Sequence, residues 1–246
     1  MNMQTNSPQR RIERVRHEPH RRDVTVTRIE RLSPGFLAIT FGSDSLASFV
    51  SLSFDDHVKF ILEDAKGNKV MRDFTPRSFD LQRRELTLEF ALHEHGVACD
   101  WARQANVGDA AVIGGPRGSM IISGDYDWHL LAGDATALPA IHRRVEALPQ
   151  GSRVWVVAYV DDAADQRMFK SAAMVSVLWV NSAEALVQAL RDIPLPTGEG
   201  FAWCAAEATV AAHVRDVLLN ERQLPLACTR ISAYWRSGVA DFSEGH

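Results

Sequence analysis

The spacing of apolar residues changes near residue 125, and this change constrains the fold more than any other feature of the sequence. Before it, apolar residues form short runs such as VTVTRI, LAITF and LTLEFAL. Turn signals such as Ser33-Pro34-Gly35 and Gly114-Gly115-Pro116 separate these runs. Short strands between turns are typical of an antiparallel barrel or sandwich. The sequence therefore predicts an antiparallel β-barrel in the first half of the chain.

After Asp125, strand-like runs alternate with segments of helical period. The predicted strands are Trp128–Ala132, Arg153–Val160, Val175–Val180, Phe201–Ala205 and Cys228–Tyr234, and the predicted helices are Ala137–Ala147, Ala183–Arg191 and Thr209–Arg222. Such alternation predicts a doubly wound α/β domain. We therefore expect two domains, residues 21–124 and 125–246. Residues 1–20 are polar and basic without an apolar period, which predicts a flexible N-terminal tail.

Charge and cysteine usage exclude several classes of function. The 27 Lys and Arg residues against 31 Asp and Glu give a net charge of −4, which provides no bulk electrostatic case for nucleic acid. Cys99, Cys204 and Cys228 form no CxxC pair, so neither a zinc nor an iron–sulfur site is predicted and the thiols are expected to be reduced.

Apolar runs such as Val154–Val160 are too short to span a bilayer. No signal-peptide pattern opens the sequence, and we expect a cytoplasmic protein without membrane insertion.

The hexapeptide Arg72-Asp73-Phe74-Thr75-Pro76-Arg77 is the most informative motif. Strand alternation places Arg72 and Phe74 on one face, and a residue before proline favours an extended backbone. An aromatic ring beside a guanidinium suits a planar cofactor that carries phosphate, because the ring stacks and the guanidinium binds phosphate in a bidentate way. The alternative is a strand end with Phe74 in the core and solvated arginines.

MRDFTPR resembles the R-x-[YF]-T-x-R signature of the siderophore-interacting proteins, or ferric-siderophore reductases. The resemblance continues in order through HVKFIL, the segment from His93 to Trp101-Ala102, GPRGS, DWHLLAGDATALPAI, FAWCAAEA and YWRSG. It covers nearly all of residues 21–240. The resemblance implies a flavoprotein like ferredoxin–NADP reductases, in which the barrel binds FAD and the α/β domain binds NADPH or NADH.

The resemblance also assigns roles in the flavin site. It implies that Arg72 contacts the FAD pyrophosphate and Phe74 stacks on the isoalloxazine. Thr75 is expected near the flavin N5 and is the one candidate catalytic residue, while Arg77 serves FAD or substrate. A second cofactor segment, whose helix N-terminus suits a pyrophosphate, contains His93, Gly96, Ala98, Cys99 and Trp101. Most relatives have Tyr at Phe74, and Pro and Ser where this chain has Val97 and Cys99.

On the electron-donor side, the resemblance places Gly133, Asp134, Thr136 and Glu207 around the cleft between flavin and nicotinamide. The chain departs from the family at Ala206, where relatives have Gly, and at Asn181-Ser182, where many have an arginine. The missing cation leaves NADPH, NADH and a ferredoxin donor as open alternatives.

Three cations are the candidate substrate patch: Lys59, Arg117 and Arg236, each at a position that matches the family. Local cations can bind an anion despite the net charge, because charges beyond roughly 8 Å are screened at physiological salt. The resemblance thus implies a monomeric FAD-dependent reductase that releases iron from an anionic ferric siderophore, for example a catecholate. The iron is substrate, so no protein metal ligands are expected. Alternatives are a general NAD(P)H–flavin or ferredoxin-type reductase and a siderophore-binding iron-trafficking protein with little turnover.

Overall fold

The computed structural model describes residues 12–63, 66–92, 96–239 and 242. The first half of the chain forms nine strands within these residues: β1 (Ile12–Arg16), β2 (Arg21–Ser33), β3 (Phe36–Gly42), β4 (Val58–Glu63), β5 (Lys69–Phe74), β6 (Pro76–Asp80), β7 (Glu85–Ala91), β8 (Ala110–Gly114) and β9 (Gly118–Ile122). Helix α1 (Val97–Gln104) connects β7 to β8. Strands β2 to β8 form one antiparallel sheet in the order β5-β4-β8-β2-β3-β7-β6.

This strand order requires the sheet to curl into a barrel. Strands β5 and β6 lie at opposite ends of the order, yet only Thr75 connects them. In a flat sheet, six spacings of about 4.8 Å would separate the two edges by about 29 Å, whereas two steps along the chain span at most about 7 Å. The edges therefore meet at Thr75, and the curled sheet encloses an aromatic core that includes Phe41, Phe60 and Phe90. The predicted antiparallel barrel is confirmed.

The second half forms a five-stranded parallel sheet in the order β12-β11-β10-β13-β14. Its elements are β10 (Trp128–Gly133), α2 (Leu138–Ala147), β11 (Arg153–Tyr159), β12 (Met174–Val180), α3 (Ala183–Asp192), β13 (Gly200–Glu207), α4 (Ala208–Arg215) and β14 (Thr229–Trp235). The order reverses between β10 and β13, and ligands of doubly wound sheets bind at the carboxyl ends of the strands at such a switch point. The predicted α/β domain is confirmed.

Two local features differ from the sequence-based expectations. Part of the predicted tail is strand β1, which pairs antiparallel with β9. Its apolar residues, Ile12 and Val15, are three apart, so no period of two marks the strand. The helix expected to run to Arg222 is α-helical only to Arg215 and continues as a π-helical segment, Asp216–Glu221. Among the described residues, no helix has the length and apolar character needed to span a membrane.

Candidate functional site

The Arg72–Arg77 motif lies at the seam where the barrel closes. Phe74 is half-buried, and its ring centroid lies 4.4 Å from that of Phe90 and 5.7 Å from that of Phe60. Arg72 is half-buried on the same strand and donates a hydrogen bond to the Met71 carbonyl at 2.9 Å. One part of the Phe74 ring therefore packs on the barrel core, and the rest of its surface remains open beside Arg72.

Thr75 connects the barrel to the last strand of the second domain. It is 7% exposed, and its hydroxyl hydrogen-bonds to the Tyr234 side chain. Burial, together with the nearby Asp55 carboxylate, raises the pKa of Tyr234, although the Thr75 hydrogen bond opposes this shift. Tyr234 therefore remains a neutral phenol and holds the threonine expected near the flavin. Only Arg236 of the YWRSG segment was expected to have a role, and no sequence pattern indicates the contact between Thr75 and Tyr234.

The second cofactor segment presents an open helix N-terminus. Gly96 is the N-cap residue of α1 and has a φ of +150°, and no side chain of the described residues caps the first turn. Cys99 donates its thiol hydrogen to the Ala91 carbonyl at 3.3 Å, so the thiol faces back toward β7. Trp101 packs 4.8 Å from the Phe60 ring, and Ala98 is buried. These contacts fix the helix while its first N–H groups remain available to an anion. His93 lies outside the described residues.

Arg77 is bound by two carboxylates. Its Nε lies 3.1 Å from Glu89 on β7, and its Nη2 lies 2.7 Å from Glu146 on α2. Arg167 pairs with the same Glu89 at 2.6 Å. The pairing of β6 with β7 brings Arg77 to Glu89, and the expected contact of Arg77 with FAD or substrate stays a prediction. Arg77 joins the barrel to the α/β domain.

A second buried contact between the domains involves Asp55. This aspartate precedes β4, and its Oδ2 lies 2.8 Å from Arg230 Nε on β14 and accepts a hydrogen bond from Trp203 Nε1 at 3.1 Å. Sequence reasoning did not identify these residues, because no local pattern indicates a partner more than a hundred positions away. Together with the Thr75–Tyr234 contact, the pair fixes β14 against the barrel.

Gly133 and Asp134 lie at the switch point of the parallel sheet. A Cβ added to Gly133 would lie 2.3 Å from the Ala205 carbonyl oxygen and 2.4 Å from the Ala137 Cβ. Both neighbours are fixed by the backbone, so glycine is required here by packing alone. Asp134 is 6% exposed, and burial raises the pKa of its carboxyl group against the opposing hydrogen bonds.

The Asp134 carboxylate accepts four hydrogen bonds from three segments. Oδ1 accepts from the backbone N–H of Thr136 at 2.9 Å and from the Thr136 hydroxyl at 2.5 Å. Oδ2 accepts from the Glu207 N–H at 2.8 Å and from the Trp235 indole at 2.9 Å. Asp134 thus connects the carboxyl ends of β10, β13 and β14, and it shapes the crevice where a nucleotide is expected.

Glu207 begins α4 and ties the C-terminal segment to it. Its carboxylate accepts from the N–H groups of Thr209 at 2.6 Å and Ser237 at 3.3 Å. Burial alone would raise the pKa of Glu207, but these backbone donors together lower it. The structure therefore brings Gly133, Asp134, Thr136 and Glu207 together, as expected, and adds Trp235 to the group.

Two of the three patch cations lie near one end of the barrel. Lys59 is half-exposed and pairs with Asp73 at 2.7 Å. It lies opposite Gly114 in the β4–β8 register, and the exposed Arg117 follows in the next turn. Arg236 follows β14, with its guanidinium 5.0 Å from the centroid of the Phe242 ring. Lys59 is thus not an unpaired buried charge, and Asp73 offsets part of its attraction for an anion.

Siderophore-interacting family models match both halves of the chain. The family model described as siderophore-interacting protein matches residues 126–238, and that of the siderophore-interacting FAD-binding domain matches residues 25–70 and 64–120. The NADPH-dependent ferric-chelate reductase of Escherichia coli is 32% identical over 254 residues, covering 94% of this chain and 99% of that protein. The ferric vibriobactin reductase of Vibrio cholerae is 28% identical, covering 81% of this chain and 80% of the relative. A siderophore utilization protein from T. fusca has a crystal structure that superposes with a TM-score of 0.87 at 30% identity, covering 94% of this chain and 98% of the other.

Proposed function

Because this chain belongs to the siderophore-interacting protein family, we propose that it is an FAD-dependent reductase that takes electrons from NAD(P)H and reduces the Fe(III) of a bound siderophore. The observation that carries this proposal is the similarity to a ferric-chelate reductase over 94% of the chain. The placement of the Arg72–Thr75 motif at the barrel seam, against the α/β domain, supports it.

The residues at the seam fit a flavin. A half-buried Phe74 offers a ring face, Arg72 lies on the same strand, and α1 presents N–H groups that no side chain in the described part of the chain caps. We assign Arg72 and the first turn of α1, from Gly96 to Cys99, to the pyrophosphate. Phe74 and Thr75 are assigned to the isoalloxazine. Trp101 supports α1 from the barrel core. Arg77 joins the domains and is kept as a candidate contact for FAD or substrate.

The protein contributes position and charge to this reaction. The chemistry that FAD supplies when bound is to accept a hydride and to pass its two electrons one at a time to Fe(III). One NAD(P)H then reduces two Fe(III) and releases one proton. Tyr234 holds the Thr75 hydroxyl at the seam, and Asp134 fixes the crevice for the nicotinamide beside it. Reduction to Fe(II) weakens the oxygen ligands of the siderophore, so no protein group has to bind the released iron.

Substrate and donor are assigned from local charge. Lys59, Arg117 and Arg236 form the proposed patch for an anionic chelate, for which a catecholate siderophore is the model substrate. Asp161 and Asp162 follow β11, next to the Gly133 turn in the sheet, and carboxylates there disfavour a 2′-phosphate. We therefore propose that NADH serves about as well as NADPH, with ferredoxin as the alternative donor. A monomer in the cytoplasm remains our expectation.

The test is anaerobic turnover of the flavin-loaded protein with a ferric tris-catecholate, with Fe(II) trapped as a coloured chelate. We expect two Fe(II) per NAD(P)H consumed. Reduction of the flavin and of ferricyanide without Fe(II) from the catecholate would identify a general reductase instead. Tight binding of the ferric complex without turnover would identify an iron-trafficking protein.

A further inference from the structure

A polar groove beside the Gly115–Arg117 turn has no role in the reaction described so far. It lies between this turn, the β1–β2 connection and the start of β2, and its volume is about 240 Å³. This is below the roughly 300–1,000 Å³ of pockets that enclose a drug-sized ligand, so the groove suits one arm of a larger molecule. Its lining includes Arg16, His17, Glu18, His20, Arg22 and Pro116.

The charge of this lining is opposite to that of the whole chain. Two arginines and two histidines face the groove against the single carboxylate of Glu18, whereas the chain as a whole carries −4. Charges gathered around a concave surface focus the potential and attract an ion of the opposite sign. The groove therefore favours an anion.

Arg22 supplies a buried charge that pairs with no carboxylate among the described residues. It is 3% exposed, and its guanidinium donates to the carbonyl oxygens of Ser45 at 3.1 Å and Gly115 at 2.8 Å, with longer contacts to two further carbonyls. In the part of the chain that the structure describes, all its acceptors are carbonyl groups. These satisfy its N–H groups but leave its charge uncompensated, and burial lowers its pKa. An anion in the groove would offset this cost.

One ring nitrogen of His17 is bound to Ser119, and within the described ranges no hydrogen bond is formed by the other. The Ser119 hydroxyl donates to Asp56 at 2.6 Å and accepts from the Leu52 N–H at 3.1 Å. It must therefore accept from His17 Nε2, which lies 2.8 Å away. His17 Nδ1 can then accept from a hydroxyl group when neutral, or donate to an anionic oxygen when protonated.

The groove lies beside Arg117, one of the three cations of the proposed substrate patch. Pro116 lines the groove, and the backbone N–H of His17 donates a hydrogen bond to the backbone carbonyl of Arg117 at 2.9 Å. We propose that the groove is a subsite for an anionic oxygen-bearing arm of the ferric siderophore, while its iron centre is bound nearer Lys59 and Arg117. This rests on the proposed function and extends it to substrate shape, because a chelate with an outward carboxylate would be preferred.

The test compares two ferric complexes that differ in outward carboxylates, one with three 2,3-dihydroxybenzoates and one with three catechols. Dissociation constants are measured on flavin-loaded protein without an electron donor. In the double variant Arg16→Gln/His20→Gln, binding of the dihydroxybenzoate complex should weaken about tenfold, as for the loss of one charge-assisted hydrogen bond. Binding of the catechol complex should change less than about threefold, with FAD content unchanged. The control is Arg14→Gln, which removes an exposed charge from the same strand.

Four outcomes would overturn the proposal. Equal weakening by Arg14→Gln and by the double variant would indicate diffuse attraction, and no weakening would exclude a subsite. Loss of FAD from the double variant would assign the groove to the cofactor. A wild-type protein that binds neither ferric complex would contradict the proposed function itself, and that result is distinguishable from the others because it needs no variant.

Discussion

Replacing Asp134 by Asn tests whether one buried carboxylate organises the nucleotide crevice. Asn keeps the size of the side chain but has a single oxygen, so it can serve only two of the four donors that Asp134 accepts. Its amide hydrogens must then face either the two Thr136 donors or the N–H groups of Glu207 and Trp235. In either orientation, two of the four hydrogen bonds that connect the ends of β10, β13 and β14 are lost.

The loss can be estimated from these bonds. Hydrogen bonds to a charged group contribute about 1.5–3 kcal/mol each, so losing two costs roughly 3–6 kcal/mol. Asn also removes a charge that is costly to bury, which offsets part of this loss in stability. We therefore expect Asp134→Asn to lower the free energy of unfolding by about 2–4 kcal/mol, on the scale of the larger effects of single substitutions.

The pH dependence gives a second readout. Burial raises the pKa of folded Asp134 above its ordinary 3.8, so between these two pKa values the folded state binds the proton more tightly than the unfolded state. The part of the stability that arises from this difference in pKa is therefore fully present below pH 3.8 and is lost as pH rises through the folded pKa. The variant lacks this titration, so the wild-type advantage in stability should shrink as pH rises through the window.

Urea unfolding, followed by circular dichroism at several pH values, measures both effects. Asp23→Asn is the control, because Asp23 is an exposed aspartate on β2 and should change stability by less than about 0.5 kcal/mol. An Asp134→Asn protein that unfolds like this control at every pH would refute the role assigned to Asp134.

Three further predictions concern the proposed ligands. Arg72→Ala should lose FAD on dialysis while its circular dichroism stays unchanged, whereas Arg83→Ala, in an exposed turn, should retain it; equal retention would contradict the Arg72 assignment. NADPH should show less than a tenfold advantage in kcat/KM over NADH, or about 1.4 kcal/mol, and a larger one would mean that other residues bind the 2′-phosphate. Neutralising Lys59, Arg117 or Arg236 should raise the KM for a ferric catecholate by a factor that corresponds to roughly 1–3 kcal/mol of binding free energy. The KM of each variant should depend less on salt, and its FAD content should be unchanged.

The sequence predicted features that depend on local pattern. The change of apolar period marks two domains, and the structure ends β9 at Ile122 and begins β10 at Trp128. The turn after β10 was expected to contribute to the nucleotide crevice, and Gly133 and Asp134 lie at the switch point. Periodicity does not determine strand order, however, so the place of Gly133 and Asp134 in the sheet could be expected only from the resemblance.

Contacts between distant parts of the chain could not be predicted. Thr75 and Tyr234 are 159 positions apart, and neither has a neighbour pattern that names the other. The ion pairs of Arg77 with Glu89 and Glu146 are likewise visible only in three dimensions. Strand β1 was missed because its pairing with β9, rather than its own composition, makes it a strand.

Closure of the barrel at one residue links cofactor retention to local unfolding. Strands β5 and β6 are the edges of the sheet, and the parts of one fold open locally with free energies that range from near zero up to that of global unfolding. A ligand that binds only the closed form shifts such an equilibrium by an amount set by its concentration and its dissociation constant. With FAD across the seam, amide protons on β5 and β6 would exchange more slowly than in the apoprotein. How long the flavin stays bound and how often the barrel opens are then two measurements of one event.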